Sequence, residues 1–208
     1  MHVTTTSPRT PTGSVLAFTF INSLGTGVVT SGIFFLTKSG YGFSDRDNFG
    51  LGVLLGIMYI LGSLAAGPVV RGLRQRVGLS SRCVLAVLML LLATLCTIPM
   101  LTKIAMANTT GGAPVWPIWV MAGLYSPLTG VLWPMVESYR SGGKSGVRLQ
   151  RAIGVWNVVW SAALIVAYWG VAPFIEHSPA QAILALGATH LVALGILVSF
   201  GREPAAHV

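Results

Sequence analysis

The sequence is short of charge for its length. Only 9% of its 208 residues are charged, whereas 53% are hydrophobic, and the mean hydropathy is +0.75. A soluble domain usually carries about 25% charged residues, because its surface has to be solvated. This composition excludes an ordinary soluble globular domain and places most of the surface against lipid. The lipid bilayer is therefore the first predicted partner.

Acids, cysteines and cofactor motifs are also scarce. Five Asp and Glu residues face 13 Lys and Arg residues, but the basic residues sit at the ends of apolar runs, as membrane-edge charges do. The two cysteines, Cys83 and Cys96, are predicted at the membrane edge and within the bilayer, so no disulfide is expected. Neither a zinc-type Cys/His spacing nor a phosphate-binding glycine motif occurs. We therefore predict no metal, no cofactor and no nucleic-acid partner.

Long apolar runs are what the sequence has instead. Each is close to the ~20 residues that a helix needs to cross ~30 Å of hydrocarbon. Helices are expected because lipid cannot satisfy open backbone groups and no alternating strand pattern appears. The runs cover residues 14–37, 49–70, 83–102, 115–136, 152–174 and 180–200. The predicted organisation is a disordered Thr/Pro-rich tail (1–13), a six-helix bundle (14–202) and a short tail (203–208).

The basic residues are distributed unevenly between the connectors. Two alternate connectors and the two tails hold ten Lys and Arg residues, whereas the other connectors hold three. Short loops rich in Lys and Arg stay in the cytoplasm. The sequence therefore predicts a multi-pass protein of the plasma (inner) membrane with both termini inside.

The predicted helices differ in polarity in a repeating order. The first and fourth carry polar stripes, the second and fifth carry small or mixed faces, and the third and sixth are nearly aliphatic. This order predicts two three-helix repeats. Polar faces in a membrane point at a bundle interior or a water-filled cavity, although helix-to-helix bonding remains an alternative for each residue. The cavity candidates are Asn22, Thr26, Thr30, Ser126, Thr129, Trp133, Asn157, Trp160 and Ser161.

The second predicted helix has small residues at positions 52, 56, 63 and 67. Small residues four apart let two helix backbones approach closely. We therefore expect this face to pack tightly against a neighbouring helix.

Three local stretches accompany this pattern. The connector after the second helix contains Gly67-Pro68 and Arg76-Val77-Gly78, the fourth helix ends in LWPMVESYR (132–140), and the fifth contains IGVWNVVWSAAL (153–164). Together with the six helices, these stretches resemble the N-terminal six-helix half of a major facilitator superfamily transporter. The resemblance implies two inverted three-helix repeats, with the first and fourth helices lining a central cavity. It also implies that the second and fifth helices meet an opposite half and that the third and sixth face lipid.

The family's signature connector differs here in one important residue. Family members place an aspartate before the arginine of the Arg-x-Gly element, and it belongs to a charge network that latches the cytoplasmic side. Gln75 stands at that position in this sequence. We expect Glu137 to pair with Arg140 or with an arginine of the 71–82 connector. The candidates for the cytoplasmic charge network are Arg71, Arg74, Arg76, Glu137 and Arg140.

The resemblance implies transport of a small solute by alternating access and no enzymatic activity. The chain corresponds to one half of such a transporter, so we expect either a fragment or a half that pairs with a second six-helix half, a missing C-terminal half or its own copy. One alternative is a non-transporting membrane scaffold or assembly subunit. Another is a rhomboid-like serine protease using Ser126 and His190, but GLYSPL lacks the Gly-x-Ser-Gly element that such enzymes use.

Overall fold

The fold is all-helical in the part of the chain that the structure describes. A computed structural model describes residues 10–107, 114–175 and 177–206, so positions 1–9 of the predicted tail lie outside it. Within these residues, five helical stretches are long and apolar enough to span a membrane, and a further helix between the third and fourth of them is as long but is not in that set. The helices are α1 (Thr12–Tyr41), α2 (Asp45–Val77), α3 (Ser81–Ala105), α4 (Trp116–Ser141), α5 (Gly146–Phe174) and α6 (Pro179–Ser199).

Several helices extend beyond the apolar runs because polar residues cap them. Ser44 and Asp47 form a capping box that starts α2, and Gly78 ends it in the left-handed conformation with φ of 71°. Helix α2 thereby reaches 33 residues, longer than the predicted run 49–70. Helix α1 starts at Thr12, so Thr12 and Gly13 are helical and do not belong to a disordered tail.

Two of the long helices are irregular within their span. In α1, residues Val28–Gly32 form a π-helical turn between two α-helical pieces, Thr12–Gly27 and Ile33–Tyr41. In α3, the α-helix Ser81–Leu95 gives way to a turn before Ile98–Ala105. A π-turn inserts one extra residue into the helical ladder and is frequent at functional sites. Its place in α1 therefore matters for the cavity described below.

The helices pack in two groups. Helix α4 packs most extensively against α2 and also against α3, whereas α1 packs against α5 and α6, and α3 contacts α6. The α2–α4 crossing depends on Gly62 and Gly130, since a Cβ on Gly130 would lie 2.5 Å from the Tyr59 carbonyl oxygen. The expected face at 52, 56, 63 and 67 was therefore misplaced: Gly62 forms the crossing, and a Cβ on Gly56 would meet open space.

One end of the bundle carries both basic connectors and the described chain ends. The segment after α6, residues 200–206, crosses this end, and we call it the C-terminal strap. The Glu203 carboxylate accepts hydrogen bonds from Ser81 at the start of α3, and the Tyr139 hydroxyl at the end of α4 donates to the Gly201 carbonyl at 3.0 Å. The Gly201 amide in turn donates to Thr10 Oγ1 at 2.9 Å. The Gly143 amide donates to the Ala206 carbonyl at 3.0 Å, so the end of the strap is also in contact with the bundle.

The outer flanks of the bundle are apolar and exposed. On α2, Phe49 is 76% and Leu64 is 73% exposed, and on α5, Trp169 is 81% exposed. A soluble protein rarely leaves so much contiguous apolar surface in water. These flanks fit an all-helical protein that lies in a membrane.

Candidate functional site

A concavity of about 260 Å³ opens between α1, α2, α4 and α5. We call it the polar-aromatic concavity. Thr26 and Thr129 form its floor and are 2% and 0% exposed, whereas Ser31 and Glu137 are exposed nearer its mouth. Its lining residues are Thr26, Gly27, Thr30, Ser31, Tyr59, Thr129, Trp133, Glu137, Trp156 and Trp160.

The structure brings five of the nine cavity candidates together here. Thr26 and Thr30 come from α1, Thr129 and Trp133 from α4, and Trp160 from α5. The α1 pair flanks the start of the π-turn, and Ser31 within that turn also lines the surface. Part of each polar stripe, Thr26 and Thr30 of α1 and Thr129 and Trp133 of α4, therefore lies on one surface.

Asn22 and Ser126 point elsewhere. Both are buried, and neither lines the concavity. Ser126 donates a hydrogen bond of 2.6 Å to the Leu55 carbonyl of α2, and Asn22 accepts one from His190 of α6. These two residues therefore bond one helix to another, which was the alternative to lining a cavity.

Asn157 and Ser161 also lie outside the lining, on an exposed face of α5. Successive residues of a helix are rotated by about 100°. Trp156 and Trp160, four apart, share the face of α5 that turns toward the concavity, so their neighbours at 157 and 161 turn away from it.

The hydroxyl donors of the three threonines are already used. Thr30 donates to the Thr26 carbonyl at 2.7 Å, Thr26 to the Asn22 carbonyl at 3.0 Å, and Thr129 to the Ser126 carbonyl at 2.7 Å. A hydroxyl has one donor but two acceptor lone pairs. These oxygens can therefore accept hydrogen bonds from a bound molecule but have no proton to give.

Trp156 holds the aromatic wall in place. Its Nε1 donates to Thr19 Oγ1 at 2.9 Å, and its ring meets that of Trp133 edge-on at 6.0 Å between centroids. The Arg140 guanidinium lies 4.8 Å from the centre of the same ring, within the range of a cation–π contact. Sequence reasoning missed Trp156 and Tyr59 as lining residues, although the spacing of Trp156 and Trp160 was a signal for the former.

The charge-network candidates divide into separate contacts. Arg140 Nη2 lies 3.9 Å from Glu137 Oε1, which is one of the two pairings expected for that glutamate. Arg74 Nη1 lies 3.8 Å from Glu203 Oε2. Arg71 and Arg76 take part in no ion pair among the described residues. Glu137 therefore does not link the two basic connectors.

A buried hydrogen-bonded group joins three helices. His190 Nδ1 is 2.8 Å from Asn22 Oδ1, and His190 Nε2 is 2.7 Å from the Tyr125 hydroxyl. Both ring nitrogens are engaged, and Ser126 is bonded to Leu55, so the Ser126–His190 hydrogen bond of a protease dyad is not formed. The arrangement gives the protease alternative no geometric support.

Comparisons with protein-family models, with curated proteins and with solved structures found no match to this chain. The function of the site therefore has to be argued from its own residues and from the helices that position them.

Proposed function

We propose that this chain is one half of a transporter that moves a small solute across a membrane by alternating access, with a fold like that of a major facilitator superfamily half. The observation that carries the proposal is the polar-aromatic concavity, where Thr26 and Thr30 of α1 lie on one surface with Thr129 and Trp133 of α4. Membrane proteins keep polar side chains away from lipid unless water or a partner satisfies them. A wall of a solute pathway is the use of such a surface that fits the remaining features.

The packing of the helices supports a repeat of three. If α1, α2 and α3 are exchanged with α4, α5 and α6, the α1–α5 contact becomes the α4–α2 contact, and α1–α6 becomes α4–α3. The α3–α6 contact is exchanged with itself. Two structurally related three-helix units related by a pseudo-two-fold axis predict this set of contacts.

The lining chemistry indicates the class of solute. Because the threonine donors bond to their own helices, the solute has to supply the hydrogen-bond donors that their oxygens accept. The rings of Tyr59, Trp133 and Trp160 offer flat apolar surface beside these acceptors. A small molecule with N–H or O–H groups on an apolar or aromatic body matches both features.

Transport also requires a second wall. The concavity lies between helices whose outer flanks, on α2 and α5, are apolar and exposed. We propose that a second six-helix bundle, either from the same protein or from another copy of this chain, packs along these flanks and closes the pathway. The two bundles then rock around the shared site.

Cysteine accessibility in membranes tests this proposal. Thr30→Cys and Ser31→Cys are introduced with Cys83→Ser, leaving Cys96, which is fully buried. Alternating access predicts that charged, membrane-impermeant thiol reagents reach both positions from either side of the membrane, and that a transported solute slows the reaction. The matched control is Val87→Cys on the exposed face of α3, which should stay unreactive because lipid covers it.

Two results would contradict the proposal. Reaction of Thr30→Cys from neither side would mean that no aqueous pathway reaches the concavity. Reaction from one side only, unchanged by any solute in a panel of small donor-bearing molecules, would favour a non-transporting scaffold.

A further inference from the structure

A second, larger pocket of about 460 Å³ lies at the basic end of the bundle. It is bounded by the start of α1, the end of α4, the start of α5 and the C-terminal strap. Among the residues that the structure describes, no acidic side chain lines it and four basic ones do: Arg140, Lys144, Arg148 and Arg151. We call it the basic pocket.

Few acidic side chains pair with these four cations. The described ion pairs at this end of the bundle are Arg140–Glu137 at 3.9 Å and Arg74–Glu203 at 3.8 Å. Glu137 faces the polar-aromatic concavity rather than the basic pocket, and Glu203 is engaged with α3. Lys144, Arg148 and Arg151 have no acidic partner among the described residues.

Two further observations concern the surroundings of these cations. The Nε atom of Arg140 is buried, and none of the described groups bonds to it. Burial, together with the nearby charge of Arg140, holds the pKa of Lys144 below its usual range. Both observations describe a site that an anion would stabilise.

Part of the pocket lining is apolar. Val15 is buried, Leu16 is half-buried and Val155 is 43% exposed, and all three line the pocket together with Ala152. An anion with an attached apolar portion would match both the basic and the apolar parts of the lining. Basic pockets between helices at the membrane edge bind the headgroups of acidic lipids in this way.

We infer that the basic pocket binds a phosphate group, and that the apolar part of its lining selects a phosphate carried by an anionic membrane lipid. Arg148 and Arg151 contact the phosphate oxygens, since guanidinium groups bind phosphate in a bidentate fork. Arg140, which lines the same pocket, adds positive charge. The first acyl carbons lie along Val15, Leu16 and Val155. This inference is independent of the transport proposal, because it concerns a different surface.

The test uses the full chain purified in a neutral detergent. Native mass spectrometry measures binding of phosphatidylglycerol against phosphatidylcholine, and a thermal-unfolding series measures the effect of inorganic phosphate against chloride at equal ionic strength. The double variant Arg148→Gln/Arg151→Gln removes two pocket cations. The matched control Arg71→Gln/Arg76→Gln removes two arginines from the other basic connector, outside the pocket.

We expect wild type and control to bind phosphatidylglycerol in preference to phosphatidylcholine, and the pocket variant to bind it about tenfold more weakly. A phosphate effect that depends on the same arginines without lipid preference would assign the site to the free ion. No preference in either arm, or equal losses in both double variants, would overturn the inference. If the double variant does not fold, Arg148→Lys/Arg151→Lys replaces it. This variant keeps both positive charges but removes both guanidinium groups, so unchanged lipid binding would overturn the bidentate contact.

Discussion

Asn22 of α1 and His190 of α6 are joined by a hydrogen bond of 2.8 Å between Oδ1 and Nδ1, and both side chains are fully buried. An amide oxygen only accepts, so the imidazole donates from Nδ1, and in a neutral ring Nε2 then accepts from the Tyr125 hydroxyl. One neutral ring thus satisfies a polar group on each of two other helices.

Replacing this histidine should destabilise the bundle strongly. His190→Leu keeps much of the volume but leaves Asn22 Oδ1 and the Tyr125 hydroxyl unpaired, at a cost of about 1–3 kcal/mol for each orphaned group. Equilibrium unfolding in mixed detergent micelles measures the loss. Val192→Ala, at a position of α6 that is 57% exposed, is the control. A loss no greater than that of the control would show that the hydrogen bonds contribute little.

The α2–α4 crossing should be intolerant of a single methyl group. In Gly130→Ala the added Cβ would lie 2.5 Å from the Tyr59 carbonyl oxygen and 2.8 Å from the Ser63 amide nitrogen, so the backbones have to separate. We expect a loss of about 1–3 kcal/mol in the free energy of unfolding. Gly56→Ala on α2, where the added Cβ meets open space, should instead be neutral or stabilise by up to about 1 kcal/mol. Equal effects of the two changes would disprove the tight crossing.

The attachment of the C-terminal strap to the bundle should depend on the Glu203 carboxylate. Glu203 accepts hydrogen bonds from the amide and hydroxyl of Ser81 at the start of α3, and its side chain is 29% exposed. Glu203→Ala should lower the free energy of unfolding by about 1–3 kcal/mol and speed tryptic cleavage after Arg202. Glu203→Gln keeps an acceptor oxygen, so its stability and its cleavage rate should lie between those of the wild type and of Glu203→Ala. Cleavage at the wild-type rate in both variants would mean that other contacts hold the strap.

Lys144 provides a pH-dependent test at the basic end. Burial and the charge of Arg140 lower the pKa of the Lys144 amine in the folded protein. Below that pKa the amine is charged, and its charge disfavours the folded state. Stability should therefore rise as the pH increases from the folded pKa toward the higher unfolded value. Acylation of the Lys144 amine, followed by peptide mass spectrometry, should become slower at a given alkaline pH in Arg140→Gln, where one cause of the lowered pKa is removed. Arg71→Gln should leave the acylation rate unchanged, and a slowing equal to that of Arg140→Gln would refute the local origin of the shift.

The orientation predicted from the charge bias can be tested directly. Ser145 lies between α4 and α5 at the basic end, whereas Ser39 is exposed near the other end of α1. In a Cys83→Ser background, Ser145→Cys should react only with reagents that enter the cytoplasm, and Ser39→Cys only from outside. Gly111, another position expected outside, is not among the described residues. Labelling of both from the same side would contradict an odd number of crossings between them.

The sequence predicted where the long helices are, because apolar length and flanking charge are local signals. It predicted less well which way each helix faces. Asn22 lies four residues before Thr26, and Ser126 lies three before Thr129, so each pair shares a helix face. Yet the partners of Asn22 and Ser126, His190 and Leu55, lie on other helices and far away in sequence. A polar stripe alone therefore cannot distinguish a residue that faces a cavity from one that bonds a neighbouring helix.

The sequence pattern also could not predict which small residue of α2 forms the close crossing or which face of α5 turns inward. Gly62 was missed because Gly56 and Ser63 made an equally regular pattern, and only the position of Gly130 on α4 selects between them. On α5, Trp156 and Asn157 are adjacent, and the packing of α1 against that helix, including the Trp156–Thr19 hydrogen bond, decides which of them turns inward.

The π-turn at Val28–Gly32 makes chain length itself a determinant of cavity shape. Each residue advances a helix by about 100°, so deleting one residue here would restore a regular α-helix and rotate everything from Ile33 onward relative to Thr26. Thr37, which now bonds Asn48 at the far end of α1, would lose its partner. Among proteins descended from a common ancestor, a one-residue gap at this point would therefore mark a change in the polar-aromatic concavity as clearly as a substitution among the residues that line it.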